Sequence, residues 1–254
     1  MLTQAETKIW RSLRRRKGRA ATGLFLAEGF RVVAELVAEE CVKATILCAK
    51  SARNQPMAID LLERARTRGH RIEVVGDALI DSIADAVTPQ PLLAIAEVPH
   101  RNWDDIGLGL ILVLDSVQDP GNVGTLIRTA AAVGAAGVIG VGTVADPWAP
   151  KAVRASAGAV LKVAVFRADT TDALVELKRR DVPLWVASAD GESIGRAESS
   201  PGCLALALGS EATGVSPELR GQAVRTVSVH MAGGVESLNV SAAGAILLDR
   251  LTGD

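Results

Sequence analysis

The sequence predicts an α/β protein in two parts, a small α/β domain over residues 1–100 and a larger domain over 108–254 whose sheet is mostly parallel, joined by a linker at 101–107. Three observations predict it. Strand-like apolar runs alternate with segments of helical period along the whole chain. The apolar runs of the second half are short, continuous and rich in branched residues, as strands buried on both faces are. Between the halves, Val98-Pro99-His100-Arg101-Asn102-Trp103-Asp104-Asp105 has the polar composition of a linker.

In the first part, a basic helix is expected to end near Gly18. Residues 24–28 read as a strand, 30–38 as an amphipathic helix and 43–49 as a second strand. Helical periodicity over 57–68 is closed by Gly69, 71–75 is a strand, and 77–86 is a short helix ended by Thr88-Pro89-Gln90-Pro91. Residues 92–98 can add one more strand.

In the second part, residues 108–114 form a strand, Asp115 to Gly124 a loop, 125–133 a helix ended by Gly134, and 137–141 the next strand. Strands at 161–166 and 183–187 flank a helix at 172–180. The strand 203–208 runs into Gly209-Ser210-Glu211-Ala212-Thr213-Gly214. The strand 225–229 enters a third loop, His230 to Asn239, and 240–251 is an amphipathic helix. Three strand ends thus feed three glycine-bearing loops, and ligands of open α/β sheets gather at such carboxyl edges.

Bulk properties exclude several classes. A chain of 254 residues with 48% hydrophobic and 22% charged residues can bury a sizeable core. No run reaches the roughly 18 apolar residues of a membrane span, and the polar amino terminus lacks the apolar stretch of a secretion signal, so a cytoplasmic protein is expected. Cys41, Cys48 and Cys203 lie in apolar surroundings without CxxC spacing, which suggests buried thiols and no metal site. With no Tyr, three Phe and four Trp, the composition argues against a nucleic-acid surface made mainly of stacked rings. The net charge of −1 hides a local excess: Lys8, Arg11, Arg14, Arg15, Arg16, Lys17 and Arg19 crowd together near the amino terminus. That run fits a solvated helix face as well as a contact to a polyanion.

The loop containing Gly121 and Gly124 precedes a helix, an arrangement that can receive phosphate. Its spacing is not that of a dinucleotide fingerprint, and the acidic residue a ribose would need is at best Asp146, so a nicotinamide-dependent oxidoreductase ranks low.

Three segments resemble, in order and separation, the three motifs of the SpoU (TrmH-like) family of RNA 2′-O-ribose methyltransferases. They are Asn122-Val123-Gly124-Thr125-Leu126-Ile127-Arg128-Thr129-Ala130, Leu208-Gly209-Ser210-Glu211-Ala212-Thr213-Gly214, and Val229-His230-Met231 with Ser237-Leu238-Asn239-Val240-Ser241. Ser156-Ala157-Gly158-Ala159 adds a fourth family-like segment. More loosely, the first hundred residues resemble the small α/β RNA-binding domain that often precedes this catalytic domain, best in Phe25-Leu26-Ala27-Glu28-Gly29.

The resemblance implies a carboxyl-terminal domain folded as a deep trefoil knot, a homodimer, S-adenosylmethionine as cofactor, and structured RNA as substrate, ribosomal RNA rather than transfer RNA. It implies cofactor contacts from Leu208, Gly209, Val229, Met231, Leu238 and Asn239. It nominates Arg128 as the essential residue, with Asn122, Glu211, Ser237 and Asn239 around it. Because the chain as a whole is slightly acidic, affinity for RNA must come from a local patch, Arg11, Arg14, Arg15, Arg16, Lys17 and Arg19, with Arg53 and Lys151 or Arg154 as further cations nearer the catalytic edge. Each also has an ordinary reading: Arg128 as a solvated helix residue, Glu211, Ser237 and Asn239 as helix caps. His230 has no reason to point into the site. An RNA-binding relative without catalysis is the alternative, and retention of Asn122, Arg128, Glu211, Ser237 and Asn239 favours the enzyme.

Overall fold

Two sheets organise the chain in the computed structural model, which describes residues 2–40, 42–195, 202–231 and 237–252. Cys41 and residues 232–236 of the third loop lie outside the described residues. In chain order the helices are α1 (Gln4–Ser12), α2 (Arg16–Thr22), α3 (Phe30–Ala38), α4 (Pro56–Thr67), α5 (Asp77–Ile83), α6 (Pro120–Ala132), α7 (Pro150–Ala155), α8 (Thr170–Arg179), α9 (Pro217–Gln222) and α10 (Val240–Thr252). The strands are β1 (Leu24–Glu28), β2 (Ala44–Ala49), β3 (Arg71–Val75), β4 (Leu92–Glu97), β5 (Leu110–Asp115), β6 (Gly137–Val141), β7 (Val165–Arg167), β8 (Leu184–Ser193), β9 (Leu204–Leu208) and β10 (Arg225–Ser228). None of the described helices is long and apolar enough to cross a membrane.

The chain divides into two units, Met1–His100 with Asp146–Leu161, and Arg101–Ala145 with Lys162–Asp254. The first holds a four-stranded mixed sheet in the order β1-β4-β2-β3. Its β4 is the strand that residues 92–98 could add, and it is central because Leu92, Leu93, Ala94, Ile95 and Ala96 are all buried. It pairs antiparallel with both β1 and β2. The basic amino-terminal segment is two helices, not one ending near Gly18. Thr3 and Glu6 close a capping box on α1, and Gly23, at φ +67°, ends α2. Gly18 sits inside α2 because α2 turns back on the end of α1. A Cβ there would stand 2.1 Å from the Ser12 carbonyl oxygen.

Residues 146–161, counted with the second domain in the sequence reading, pack in the first unit. The Trp148 ring lies 4.8 Å from that of Phe25. The Arg19 guanidinium donates to Asp146 at 2.6 and 2.8 Å. Arg154 donates to Glu28 at 2.9 Å and to Asp85 at 3.0 Å. Gly158, at φ +88°, leaves room where a Cβ would press on Glu35. Membership of this segment is therefore decided by tertiary charge pairs and a ring contact, which no local pattern announces.

The second unit holds a six-stranded sheet in the order β10-β8-β9-β5-β6-β7, with every pair parallel. Every residue of β5, β6 and β9 is buried, which matches their continuous apolar composition. Three boundaries differ from expectation. The helix expected at 125 begins at Pro120, since Asp119 caps it through the Asn122 N–H and proline suits a first helical position. The strand expected at 161 begins at Val165, because Ala159–Leu161 form a 3-10 turn. The strand β8 runs to Ser193, well past 187. The stretch 101–107 is no loose linker either. Trp103–Asp105 form a 3-10 turn, Ile106 is buried in the core, and Arg180 donates to the Trp103 and Ile106 carbonyls at 2.6 and 3.2 Å. Two apolar side chains inside a polar stretch anchor it to the second unit.

Candidate active site

The carboxyl ends of β5, β9 and β10 set the site. At the end of β5 the Asp115 carboxylate is 2% exposed. It accepts the Ser216 N–H at 2.6 Å and the Ser116 hydroxyl at 3.1 Å. A strand end and the residue before α9, 101 positions apart, are thereby joined by a charge-assisted bond. At the end of β9 the chain meets a closer constraint. A Cβ on Gly209 would lie 2.0 Å from the carbonyl carbon of Gly214 and 2.2 Å from the Val215 nitrogen, so main chain crosses main chain there. Between these points the loop folds on itself. Gly214, at φ +67°, donates its N–H to the Ser210 carbonyl at 2.9 Å, and the Ser210 hydroxyl bonds Thr213 through both backbone and hydroxyl.

A cavity of about 350 Å³ opens against this loop. Of the residues nominated for cofactor contact, Leu208, Gly209, Val229, Met231 and Leu238 line it; of the catalytic set, Glu211 and Ser237 do. Asn239 and Asn122 stand outside the wall but are bonded to it. The Asn122 amide donates to Glu211 Oε1 at 2.7 Å, and the Asn239 amide donates to the same oxygen at 3.0 Å and to Asn122 Oδ1 at 3.3 Å. Three residues from three separate motifs thus form one polar cluster. Asn239 also does what its ordinary reading requires, its Oδ1 accepting the Ser241 N–H at 2.9 Å and hydroxyl at 2.6 Å at the start of α10. The cap fixes the side chain, and the fixed side chain serves the cluster.

The remaining nominated residues are distributed differently. Arg128 is exposed on α6, lines no part of the cavity, and makes no side-chain hydrogen bond or ion pair among the described residues. Gly121 and Gly124 lie in the first turns of α6 and not in an open loop, and the Asp119 side chain already takes one of the helix's amino-terminal N–H groups. His230 is exposed and outside the cavity wall.

Among the basic residues, Arg15, Arg16 and Lys17 are exposed. Arg11 donates to the Ser82 hydroxyl at 3.1 Å, and Arg14 reaches the Arg11 and Ala84 carbonyls at 3.4 and 3.5 Å. Arg19 must be withdrawn from the set. It is 6% exposed, and its guanidinium is spent on Asp146 and the Leu13 carbonyl. The same pair removes Asp146 as a ribose-binding carboxylate. Arg154 is likewise committed, to Glu28 and Asp85.

Two wall residues, Ser188 and Arg220, escaped the sequence reading. Neither carries a motif: Ser188 lies on the unpredicted extension of β8, and Arg220 belongs to the six-residue helix α9.

Residues 109–249 match the SpoU rRNA Methylase family, and residues 5–94 match the MRM3-like substrate binding domain. The chain is 31% identical to the 23S rRNA (guanosine(2553)-2′-O)-methyltransferase RlmP of Bacillus subtilis, over 98% of this chain and 96% of that protein. It is 36% identical to the 23S rRNA (adenosine(1067)-2′-O)-methyltransferase of Streptomyces laurentii, over 77% of this chain and 74% of that protein. The crystal structure of an AdoMet-bound rRNA methyltransferase from Sinorhizobium meliloti superposes with a TM-score of 0.83 at 30% identity, covering 98% and 95% of the two chains. With that family matched across more than half of its length, on the same residues that build the cavity and its polar cluster, the chain belongs to the SpoU rRNA methylase family.

Proposed function

We propose that this protein transfers a methyl group from S-adenosylmethionine to a ribose 2′-hydroxyl of ribosomal RNA. The observation that carries the reading is the Asn122–Glu211–Asn239 cluster, joined through Glu211 to the wall of the cavity. The cavity fits the cofactor. Its volume of about 350 Å³ lies in the range of small-molecule sites, roughly 300–1,000 Å³. Leu208, Val229, Leu238 and Leu247 give an apolar wall for a flat base, beside main chain that a glycine lets come close. The cofactor, when bound, supplies an electrophilic methyl on a sulfonium.

The protein's own task is to make a weak nucleophile reactive and to hold it in line. Glu211 Oε1 takes hydrogen bonds from both asparagines and so fixes their amides. Its second carboxylate oxygen lies outside these bonds and, in this reading, accepts a hydrogen bond from the ribose hydroxyl. Arg128 cannot act as a base, because a guanidinium stays protonated in proteins. Exposed and uncommitted, it grips the phosphate beside the target ribose in a fork and stabilises the oxygen as negative charge develops. Ser237 contributes a hydroxyl to the wall beside Leu238.

Arg11, Arg14, Arg15, Arg16 and Lys17 contact RNA phosphates in this reading, supported by the exposure of all five. A knotted, homodimeric, cytoplasmic enzyme completes it, with family membership as the support. The test is Arg128→Ala: methyl transfer to ribosomal RNA is lost while calorimetry still detects S-adenosylmethionine binding. Turnover at the wild-type rate sinks the assignment. Mapping methylation-resistant cleavage sites in ribosomal RNA from cells with and without the protein then locates the modified nucleotide.

A further inference from the structure

We infer that Arg220 is the residue that recognises the carboxylate of the methyl donor, and so sets the enzyme's preference for an amino-acid-bearing sulfonium. The inference rests on the methyl-donor reading above and assigns to one side chain a role that the three sequence motifs do not contain. Two charged side chains, Glu211 and Arg220, lie among the residues that line the cavity, and they have opposite signs. Glu211 is tied to Asn122 and Asn239, the cluster proposed to act on the ribose hydroxyl. An S-adenosylmethionine molecule carries two positive groups, at sulfur and at the α-amine, and a single negative one. Among the described residues, Arg220 is the cationic group in the wall that can meet that negative charge.

The guanidinium is held ready for this. Arg220 Nε donates to the Val215 carbonyl at 3.2 Å, and Nη2 donates to the Ser188 hydroxyl at 2.7 Å. Two of its five N–H groups are thereby used to fix the plane against β8 and the loop that precedes α9, which leaves three for a ligand. Its nearest carboxylate competitor is weak. Asp190 stands 3.9 Å from Nη1 and is 77% exposed, at the outer limit of an ion pair and open to solvent screening. The arrangement is a preset fork, of the kind that carboxylates accept in a bidentate way.

Calorimetry on the full chain tests this with three probes: S-adenosylmethionine, S-adenosylhomocysteine, and decarboxylated S-adenosylmethionine, which keeps the sulfonium and the amine. Wild-type protein should bind the decarboxylated compound about 10- to 100-fold more weakly than S-adenosylmethionine, the range of a hydrogen bond to a charged group. In Arg220→Ala that discrimination should vanish, with S-adenosylmethionine weakened to the level of the decarboxylated compound and the latter unchanged. Arg220→Lys should restore part of it, having the charge without the fork. Equal affinities in the wild type overturn the proposal without recourse to any variant. So does an Arg220→Ala protein that weakens all three ligands alike, which would mark a structural role, or one that raises only the KM for RNA, which would mark a phosphate contact. If the wild type binds none of the three, the methyl-donor reading falls first and this one with it.

Discussion

In the first unit, segments more than a hundred residues apart are held together by buried and half-buried charge, Arg19 on Asp146 and Arg154 on Glu28. In the second unit the loop at the site is instead held by main chain over a short span, with Gly209 crossing Gly214 and Val215, and the Ser216 N–H then docks on the Asp115 carboxylate. The two solutions differ in tolerance. A charge pair made by long side chains can be replaced at the cost of that pair. A crossing of backbones has nothing flexible to give way. The contrast follows the tasks of the two regions, since the cavity whose wall includes Gly209 needs main chain close to its ligand, whereas the 146–161 segment only needs to stay in place.

The sharpest way to break this contrast is Gly209→Val. The new Cβ would sit within 2.2 Å of three backbone atoms, and overpacking without a flexible neighbour costs about 3 kcal/mol or more, about 100-fold in affinity. S-adenosylmethionine binding by calorimetry should therefore fall at least that far while the first unit keeps its fold, as read by circular dichroism and limited proteolysis. A variant that binds normally would mean that the loop has room the geometry denies.

Glu28→Ala asks the same question of the first unit. The Glu28 side chain is 1% exposed. It accepts the Asp85 and Ala86 N–H groups at 2.6 and 3.2 Å as well as Arg154. Its removal leaves these donors unpaired and should cost about 3 kcal/mol in urea denaturation. Its partners all belong to the first unit, so the S-adenosylmethionine Kd of the folded protein should stay within about twofold of the wild type. Loss of cofactor binding at constant fold would erase the distinction between the two regions.

What the sequence discloses follows the same division. The buried strands of the second sheet announce themselves because both faces are apolar, and β5, β6 and β9 appear within two residues of where they were expected. The start of α6 does not, since Gly121, Asn122 and Gly124 are poor helix formers; Asp119-Pro120 was the signal, a cap followed by a proline at the first position. The cluster of Asn122, Glu211 and Asn239 was legible only as three motifs recurring in order, because nothing local tells a residue which partner lies 89 or 117 positions away. Arg19 shows the opposite failure. It reads as one more cation in a basic run, and only folding reveals that it is buried against Asp146. Arg220 had no pattern to betray it, being one arginine in a short helix whose meaning comes from the cavity it faces.

The second unit also contains a clamp of charge, and it sets the smallest predicted effect. Glu176 bonds Arg179 and Arg180, and Arg180 in turn holds the 103–106 stretch through the Trp103 and Ile106 carbonyls. Hydrogen bonds from Arg179 and then Arg180 lower the Glu176 pKa from 4.5 to about 2. Because the folded value lies below the unfolded one, the unfolded chain binds the extra proton between them. The contribution is therefore complete above about pH 4.5 and is lost as the pH falls toward 2. Arg179 is 64% exposed, so screening limits the effect to about 1 kcal/mol or less. Urea unfolding of wild type and Glu176→Gln at pH 6 and pH 3 should show a difference at the higher pH that shrinks at the lower. If Glu176→Gln costs as much as Glu28→Ala, burial is not what separates a strong charge clamp from a weak one, and the contrast between the units must rest on the backbone crossing at Gly209 alone.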